Sequence, residues 1–336
     1  MEDGKTGDKI LESIASDERI TLIKQFYGAE KENETLFFLK PEFFQNVNPE
    51  SVKKLLLLIF EKIDEFNIDI SGIATLTGSF LAESKIIQRH YGFINKMSVS
   101  GSKIVNGSDK ARIREALSLD DLKDHLILGG HEAIERYNNI DEKMLTDLWY
   151  SKDAERIGEG FYIQPHIINN EKIILINGFH PNQIRHYTNP ASRIVLFLLS
   201  TDTDWFMLRN DFVGDTFPEK AAKGSIRALL LKNSEKYGIK SINVANNFVH
   251  ASSGPFDALF EICNFVGNLE GINYCRYNTN IYKLMIEKFN LTETDFSNCL
   301  ENPAILTDGI ETDLFSVTKN KNTLEAISQY IRYFKS

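Results

Sequence analysis

The sequence predicts a mixed α/β protein, and three stretches carry that expectation. Thr35-Leu36-Phe37-Phe38-Leu39-Lys40 is an apolar, aromatic run of strand length, and Asn48-Pro49 downstream reads as a helix start, with a capping asparagine and a first-turn proline. Ile68, Ile70, Gly72, Ala74 and Leu76 alternate with Asp69, Ser71, Ile73, Thr75 and Thr77, a period-two strand with one face more apolar. Asn247-Phe248-Val249-His250-Ala251-Ser252-Ser253-Gly254-Pro255-Phe256 runs a short strand into a Ser/Gly turn and then a helix, with Gly254 as cap and Pro255 at its start.

The remaining elements follow in order. Residues 8–28 predict one or two short helices. The helix from Pro49 carries Leu55, Leu56, Ile59 and Ile63 as its buried stripe. A second helix covers 81–91. Ser98-Val99-Ser100-Gly101-Ser102 and Asn106-Gly107-Ser108-Asp109 read as flexible loops; their Gly/Ser content suits phosphate, but the Lys-Ser/Thr ending of a P-loop is absent. Helical stretches follow near 110–117, 119–128 and 130–149. Phe161-Tyr162-Ile163-Gln164 and Lys172-Ile173-Ile174-Leu175-Ile176 flank Asn169-Asn170 and predict a strand pair. A helix over 181–188 and a strand at Ile194 to Leu199 come next, then a polar loop from Gly214 to Arg227, with Leu229 to Leu231 and Glu235 to Tyr237 as a small helix. The helix from 255 to 266 stops at Gly267. Beyond it the pattern is mainly helical, at Ile281 to Phe289 and Leu324 to Phe334.

Composition narrows the function. The 336 residues allow one large domain or two, and a hydrophobic fraction of 42% supports a sizeable core. A net charge of −9 argues against nucleic acid, whose backbone demands clustered cations, but not against a small polyphosphate. Cys263, Cys275 and Cys299 lack CxxC spacing, so neither a disulfide framework nor a zinc site is expected. Met1-Glu2-Asp3-Gly4 is acidic and polar, unlike a signal peptide, and the longest apolar runs, Leu55 to Phe60 and Ile194 to Leu199, are far too short to span a membrane. The expectation is a soluble cytosolic protein.

The candidate chemistry centres on His250. A histidine at a strand-to-helix corner, beside the Ser252 hydroxyl and eleven residues before Glu261, has the parts of an oriented nucleophile. Lys40 ends the first strand, where a cation can meet a ligand. Thr216 and Arg227 share one loop and offer a hydroxyl and a planar fork, both suited to phosphate oxygens.

Together these segments resemble nucleoside diphosphate kinase. The family runs from a strand ending in Lys-Pro, through a Gly-x-Thr-x-Pro…Gly-Ser/Thr-Ile-Arg loop, to Asn-x-x-His-Gly-Ser and a helical glutamate. The matching residues occur in that order: Lys40-Pro41, Gly214 to Arg227, Asn247 to Ser252 and Glu261. His90-Tyr91 matches the family's His-Tyr pair, and Gly178-Phe179-His180-Pro181 its Pro-Phe-Phe-Pro turn. The resemblance covers 34–92 and 178–267. It leaves 1–33 as a helical N-terminal extension, 93–177 as a mainly helical inserted subdomain and 268–336 as a helical C-terminal extension.

The resemblance implies a ferredoxin-like sandwich with a four-stranded antiparallel sheet. It implies γ-phosphoryl transfer from a nucleoside triphosphate to a nucleoside diphosphate through a phosphohistidine at His250, with Mg²⁺ carried by the nucleotide phosphates. Glu261 and Ser252 would orient the ring. Lys40 would reach the transferring phosphate or the ribose, and Tyr91 would sit near the γ-phosphate. Thr216 and Arg227 would hold phosphates, and Asn247 the sugar 3′-hydroxyl. A homodimer is implied as well. The chain departs from the pattern at Ala251, Ser253, Gly254 and Asn210, with Arg209 adjacent to restore a charge, and at His180, which replaces the phenylalanine that stacks on the base. Two alternatives stand beside this reading: a nucleotide-binding scaffold without turnover, and a kinase with altered acceptor choice.

Overall fold

The computed structural model describes residues 2–28, 30–45, 48–272, 274, 276–307 and 310–335. Cys275 therefore lies outside the described residues. Contacts gather the chain into two compact units, residues 1–80 with 190–336, and residues 81–189. Among the described residues no helix is long and apolar enough to cross a membrane.

The first unit is built on β1 (Ile20–Lys24), β2 (Asn33–Leu39) and β3 (Asp69–Thr77), joined by two strands from the far half of the chain. With β4 (His125–Gly129), β5 (Glu155–Gly158), β6 (Phe161–Ile168) and β7 (Glu171–Ile176) assigned to the second unit, those two are β8 (Arg193–Thr201) and β9 (Val249–Ala251). The five-stranded sheet runs β1-β3-β8-β2-β9, and every neighbouring pair is antiparallel. β2 is buried along its whole length and β8 along all but its first residue. A central strand covered on both faces reads as an unbroken apolar run, which is why Leu36 to Leu39 and Ile194 to Leu199 do not alternate. Phe37 pairs with Phe197, and helix Pro49–Glu65 lays Leu55, Leu56, Ile59 and Ile63 on that face. Asn48 caps this helix as expected, its side chain accepting from the Ser51 amide at 2.8 Å.

Two expectations need correction here. Residues 8–28 are not all helical. The helix spans Glu2–Ala15, and Ile20-Thr21-Leu22-Ile23, a β-branched run too short for helical periodicity, pairs with β3 as a fifth strand. The alternation of β3 left the surroundings of its less apolar face open, and that face is buried. Ser71, Thr75 and Thr77 are buried; Ser71 Oγ meets Ser200 Oγ at 2.9 Å, and Thr75 Oγ1 meets Ser13 Oγ of the first helix at 2.6 Å. A pair of hydroxyls satisfies itself, so a polar face can be buried without cost in lost hydrogen bonds.

The second correction concerns the C-terminal stretch. It holds an antiparallel pair, β10 (Ala304–Thr307) with β11 (Ile310–Asp313), between its helices. Nor is it an appendage: Phe256 and Leu259 share one core with Phe296, Leu314, Ala326, Ile327 and Tyr330. Glu34 of β2 ties in another part of it, accepting from the Tyr274 hydroxyl at 3.2 Å and from the Asn280 amide. Burial pushes the Glu34 carboxyl up to about 7, against the pull of those hydrogen bonds and of Lys283.

The second unit carries a four-stranded sheet beside its helices. Its sheet runs β4-β7-β6-β5, with β4 parallel to β7 and the other pairs antiparallel. The strand pair around Asn169-Asn170 is present as β6 and β7. Both asparagines adopt left-handed φ, 48° and 64°, the requirement of a two-residue hairpin turn. The stretch expected as helix near 119–128 contains β4, since Leu126-Ile127-Leu128 is too short to establish a helical period. The two Gly/Ser segments are helical, not loops: Ser98 to Ser102 lies inside helix Gly92–Ile104, and Asn106 with Asp109 forms a capping box for helix Gly107–Ala116.

Candidate functional site

β9 is only three residues long, yet its register decides the site. Phe38 lies directly opposite His250, and their rings stack at 4.5 Å with 22° between planes. The corner beyond β9 brings Ser252 back to the sheet, where its hydroxyl accepts from the Leu36 amide at 3.2 Å. Gly254 then caps helix Pro255–Phe265. A side chain at Gly254 would come within 2.8 Å of the Thr318 carbonyl, so the C-terminal segment passes too close for any other residue.

Glu261, 2% exposed, reaches back from that helix. One carboxylate oxygen accepts His250 Nε2 at 2.7 Å and the other accepts the Ser252 hydroxyl at 2.6 Å. Two donors on one buried carboxylate fix the ring plane and the tautomer: the neutral imidazole carries its proton on Nε2 and its lone pair on Nδ1. The His250 side chain retains 22% exposure. It is therefore a pinned ring with an accessible edge.

A second cluster adjoins it in sequence and in space. Lys40 Nζ donates to Asn247 Oδ1 at 2.6 Å, and Asn247 Nδ2 donates to the Thr216 carbonyl at 3.1 Å. Asn247 thus ties the strand-end lysine, the loop and the approach to His250 together. Thr216 itself is exposed. Phe248 adopts φ 68°, an uncommon conformation for an aromatic residue. It is held from both sides: the Glu42 carboxylate accepts its amide at 3.0 Å, and its carbonyl accepts the Lys40 amide at 2.9 Å.

The charges are placed unevenly. Burial brings the Lys40 ammonium down to about 8; Glu42 opposes this shift and the Arg227 cation adds to it. Arg227 does not present the fork expected of it. Its two terminal nitrogens donate to the carbonyls of Gly214, at 2.9 Å, and Val249, at 2.8 Å. Through these two carbonyls the buried Arg227 side chain fastens the loop to β9. Gly214 sits at φ 95°, a conformation that suits glycine. Arg209 lies in a π-helical turn, Leu208–Val213, whose wider winding displaces side chains by a residue. Its Nη1 donates to Asn320 Oδ1 at 2.6 Å, and burial lowers its pKa against the pull of Asp257 and Asp215. Asn210, beside it, is exposed and bonds Asp211.

Tyr91 and His180 belong to the unit of residues 81–189. Tyr91 is half-buried, with its hydroxyl 3.4 Å from that of Tyr187 and its ring edge-on to His180 at 5.6 Å. His180 is fully buried, its ring nitrogens facing Gln183 Oε1 at 2.8 Å and Asn95 Oδ1 at 3.2 Å. Burial holds it neutral, with a pKa of about 4. A buried ring engaged at both nitrogens offers no face for a base, so the stacking role expected of His180 does not hold. Residues that sequence reasoning missed are Phe38, Glu42, Phe248 and Asn320. Phe38 and Phe248 lay inside stretches already singled out, and Glu42 directly follows Lys40-Pro41; nothing local marked Asn320.

The Lys40 value sets an expected pH response. The ammonium is charged below about pH 8, so turnover that depends on it falls as pH rises through 8, roughly tenfold per further pH unit. Stability moves the other way. The folded-state pKa lies below the unfolded value near 10.5, so between about 8 and 10.5 the unfolded chain binds more protons and stability rises with pH. A pH–rate profile alongside melting curves, repeated on Lys40→Met, checks both; an alkaline limb that survives in the variant assigns it to another group.

No protein-family model matches the chain, and no curated protein matches it. Among solved structures, it is similar to an NDP kinase from Pyrobaculum aerophilum, at 20% identity over 69% of this chain and 94% of that one, with a TM-score of 0.31. It is likewise similar to a nucleoside-diphosphate kinase from Borrelia burgdorferi with bound vanadate and ADP, at 15% identity over 72% of this chain and 91% of that one, with a TM-score of 0.32. At such scores the likeness carries no argument about chemistry.

Proposed function

We propose that this chain transfers a phosphoryl group from a nucleoside triphosphate to a nucleoside diphosphate through a phosphohistidine at His250. The observation that carries the reading is the arrangement of His250, Glu261 and Ser252 around one buried carboxylate. In the first half-reaction the Nδ1 lone pair attacks the γ-phosphorus, the bond to the β–γ bridging oxygen breaks, and the diphosphate leaves with that electron pair. In the second, a terminal phosphate oxygen of the acceptor attacks the phosphorus and the electron pair of the P–N bond returns to Nδ1. Glu261 stabilises the imidazole that gains charge when phosphorylated. Lys40, exposed Thr216 and Arg209 are the groups suited to the phosphates. Mg²⁺ bound by the nucleotide's own phosphate oxygens would neutralise charge there.

The sheet supports the same reading. Taking β2, β3, β8 and β9 as strands one to four, their spatial order is 4-1-3-2, antiparallel throughout, which is that of a ferredoxin-like sandwich with β1 added at one edge. The test is incubation of the wild-type protein with γ-labelled ATP and Mg²⁺. Acid-labile, alkali-stable label is expected, and none on active-folded protein overturns the reading.

A second reading draws on Arg227, whose guanidinium faces carbonyls, and on Asn210. Fewer cations are left to grip phosphate, as in a nucleotide-binding scaffold without turnover. Calorimetric binding of nucleotide with no label on the protein would favour it. We further propose a homodimer formed through a sheet edge. Sedimentation at micromolar concentration is expected to give twice the chain mass of 38.4 kDa, and the single-chain mass would contradict it.

A further inference from the structure

Within residues 81–189 a cleft of about 490 Å³ is lined by His125, Lys152, Pro165, His166, Ile167 and Lys172, none of which belongs to the site around His250. Strand register explains why they converge. His125 on β4 lies opposite Lys172 on β7, and Lys172 lies opposite Ile167 on β6, so the three form one row across one face of the sheet. Pro165, two residues along β6, shares that face. Lys152 arrives from the segment after helix Glu142–Trp149, its ammonium donating to the Pro165 carbonyl.

The cleft is a built feature. Gln164, fully buried, donates to the carbonyls of Trp149 at 2.8 Å and Lys152 at 2.7 Å, which pins the segment that delivers Lys152. Its oxygen faces His166 Nε2 at 2.9 Å. Burial, with the Lys152 cation adding, brings His166 down to about 4, so that ring is neutral, turned with Gln164 to the buried face of β6 behind the row. None of the six lining residues is acidic. Nδ1 of His125 is buried and meets no hydrogen-bond partner among the described residues. Buried polar atoms are nearly always satisfied, so His125, which lines the cleft beside the two lysines, keeps unused hydrogen-bonding capacity.

We propose that this cleft binds a phosphate monoester, its dianion facing Lys152 and Lys172 and its carbon body lying on Pro165 and Ile167. A dianion matches two ammonium groups, whereas a carboxylate would leave one of them uncompensated. Ile167, 73% exposed, is an apolar surface that an ester's carbon body covers and inorganic phosphate does not.

The experiment follows the imidazole NMR signals of His125 and His166, assigned with His125→Gln and His166→Gln, while the full chain is titrated with phenyl phosphate, inorganic phosphate or benzoate. Phenyl phosphate is expected to shift the His125 signal at the lowest concentration and benzoate at the highest, with affinity falling as salt is added. Lys172→Glu is expected to weaken phenyl phosphate about tenfold or more, with an unchanged melting temperature. A His125 signal that phenyl phosphate leaves in place, benzoate binding as tightly as phenyl phosphate, or equal affinity in Lys172→Glu would overturn the proposal. Labelling at His250 is a separate readout, so either result stands without the other.

Discussion

His250→Ala is expected to lose all acid-labile label and to lower phosphoryl transfer by four or more orders of magnitude, because the nucleophilic ring held on Glu261 is gone. The variant tests more than the nucleophile. It takes one donor from Glu261 and removes the ring stacked on Phe38, so a stability loss of about 1–3 kcal/mol should accompany the loss of turnover. Nucleotide binding should persist, since Lys40, Thr216 and Arg209 are untouched. Mass spectrometry of the labelled peptide, a coupled turnover assay and a denaturant titration check the three parts. Transfer that survives in His250→Ala would mean that the phosphoryl group never resides on this ring.

The second large effect is expected at Glu261. Glu261→Ala takes the acceptor from His250 Nε2–H and leaves the Ser252 hydroxyl the Leu36 carbonyl at 3.3 Å, and should cost about 1–3 kcal/mol of stability. Glu261→Gln is the sharper variant because it keeps the volume. Its amide has one acceptor where the carboxylate has two, so either His250 or Ser252 meets an N–H₂ group instead of an oxygen. If the ring responds by moving its proton to Nδ1, the lone pair leaves the transferring position, and kcat should fall roughly 100-fold with little change in KM. Nitrogen-15 NMR of the imidazole reads the tautomer directly. An unaltered tautomer together with an unaltered kcat would remove Glu261 from the mechanism.

Much of this site was legible in the sequence, for physical reasons that differ by residue. His250, Ser252 and Glu261 fall on one strand–turn–helix unit, where spacing fixes geometry, and the structure brings them together. Lys40 was legible as the end of an apolar strand. Arg227 was not legible in its role, since a sequence cannot say whether a guanidinium turns to phosphate or to the carbonyls of Gly214 and Val249. His180 was read by analogy as a stacking ring, and its burial depends on Asn95 and Gln183, which no motif marks. Of the fold, the long buried strands and the capped helix from Pro49 were clear. Short strands were not: Ile20 to Lys24 and His125 to Gly129 are five residues each, less than two helical turns, so periodicity has nothing to count.

The shared core of Phe256, Leu259, Ala326, Ile327 and Tyr330 has a consequence for synthesis. The helix bearing Glu261 has no finished bed to lie on until the segment around Tyr330 has cleared the ribosome. β2, made early, must likewise wait for partners encoded some 160 and 210 residues later, at Phe197 and His250. Phosphate uptake at His250 should therefore begin only after the segment around Tyr330 has been made, and a nascent chain stalled before Tyr330 should carry His250 yet fail to take up phosphate.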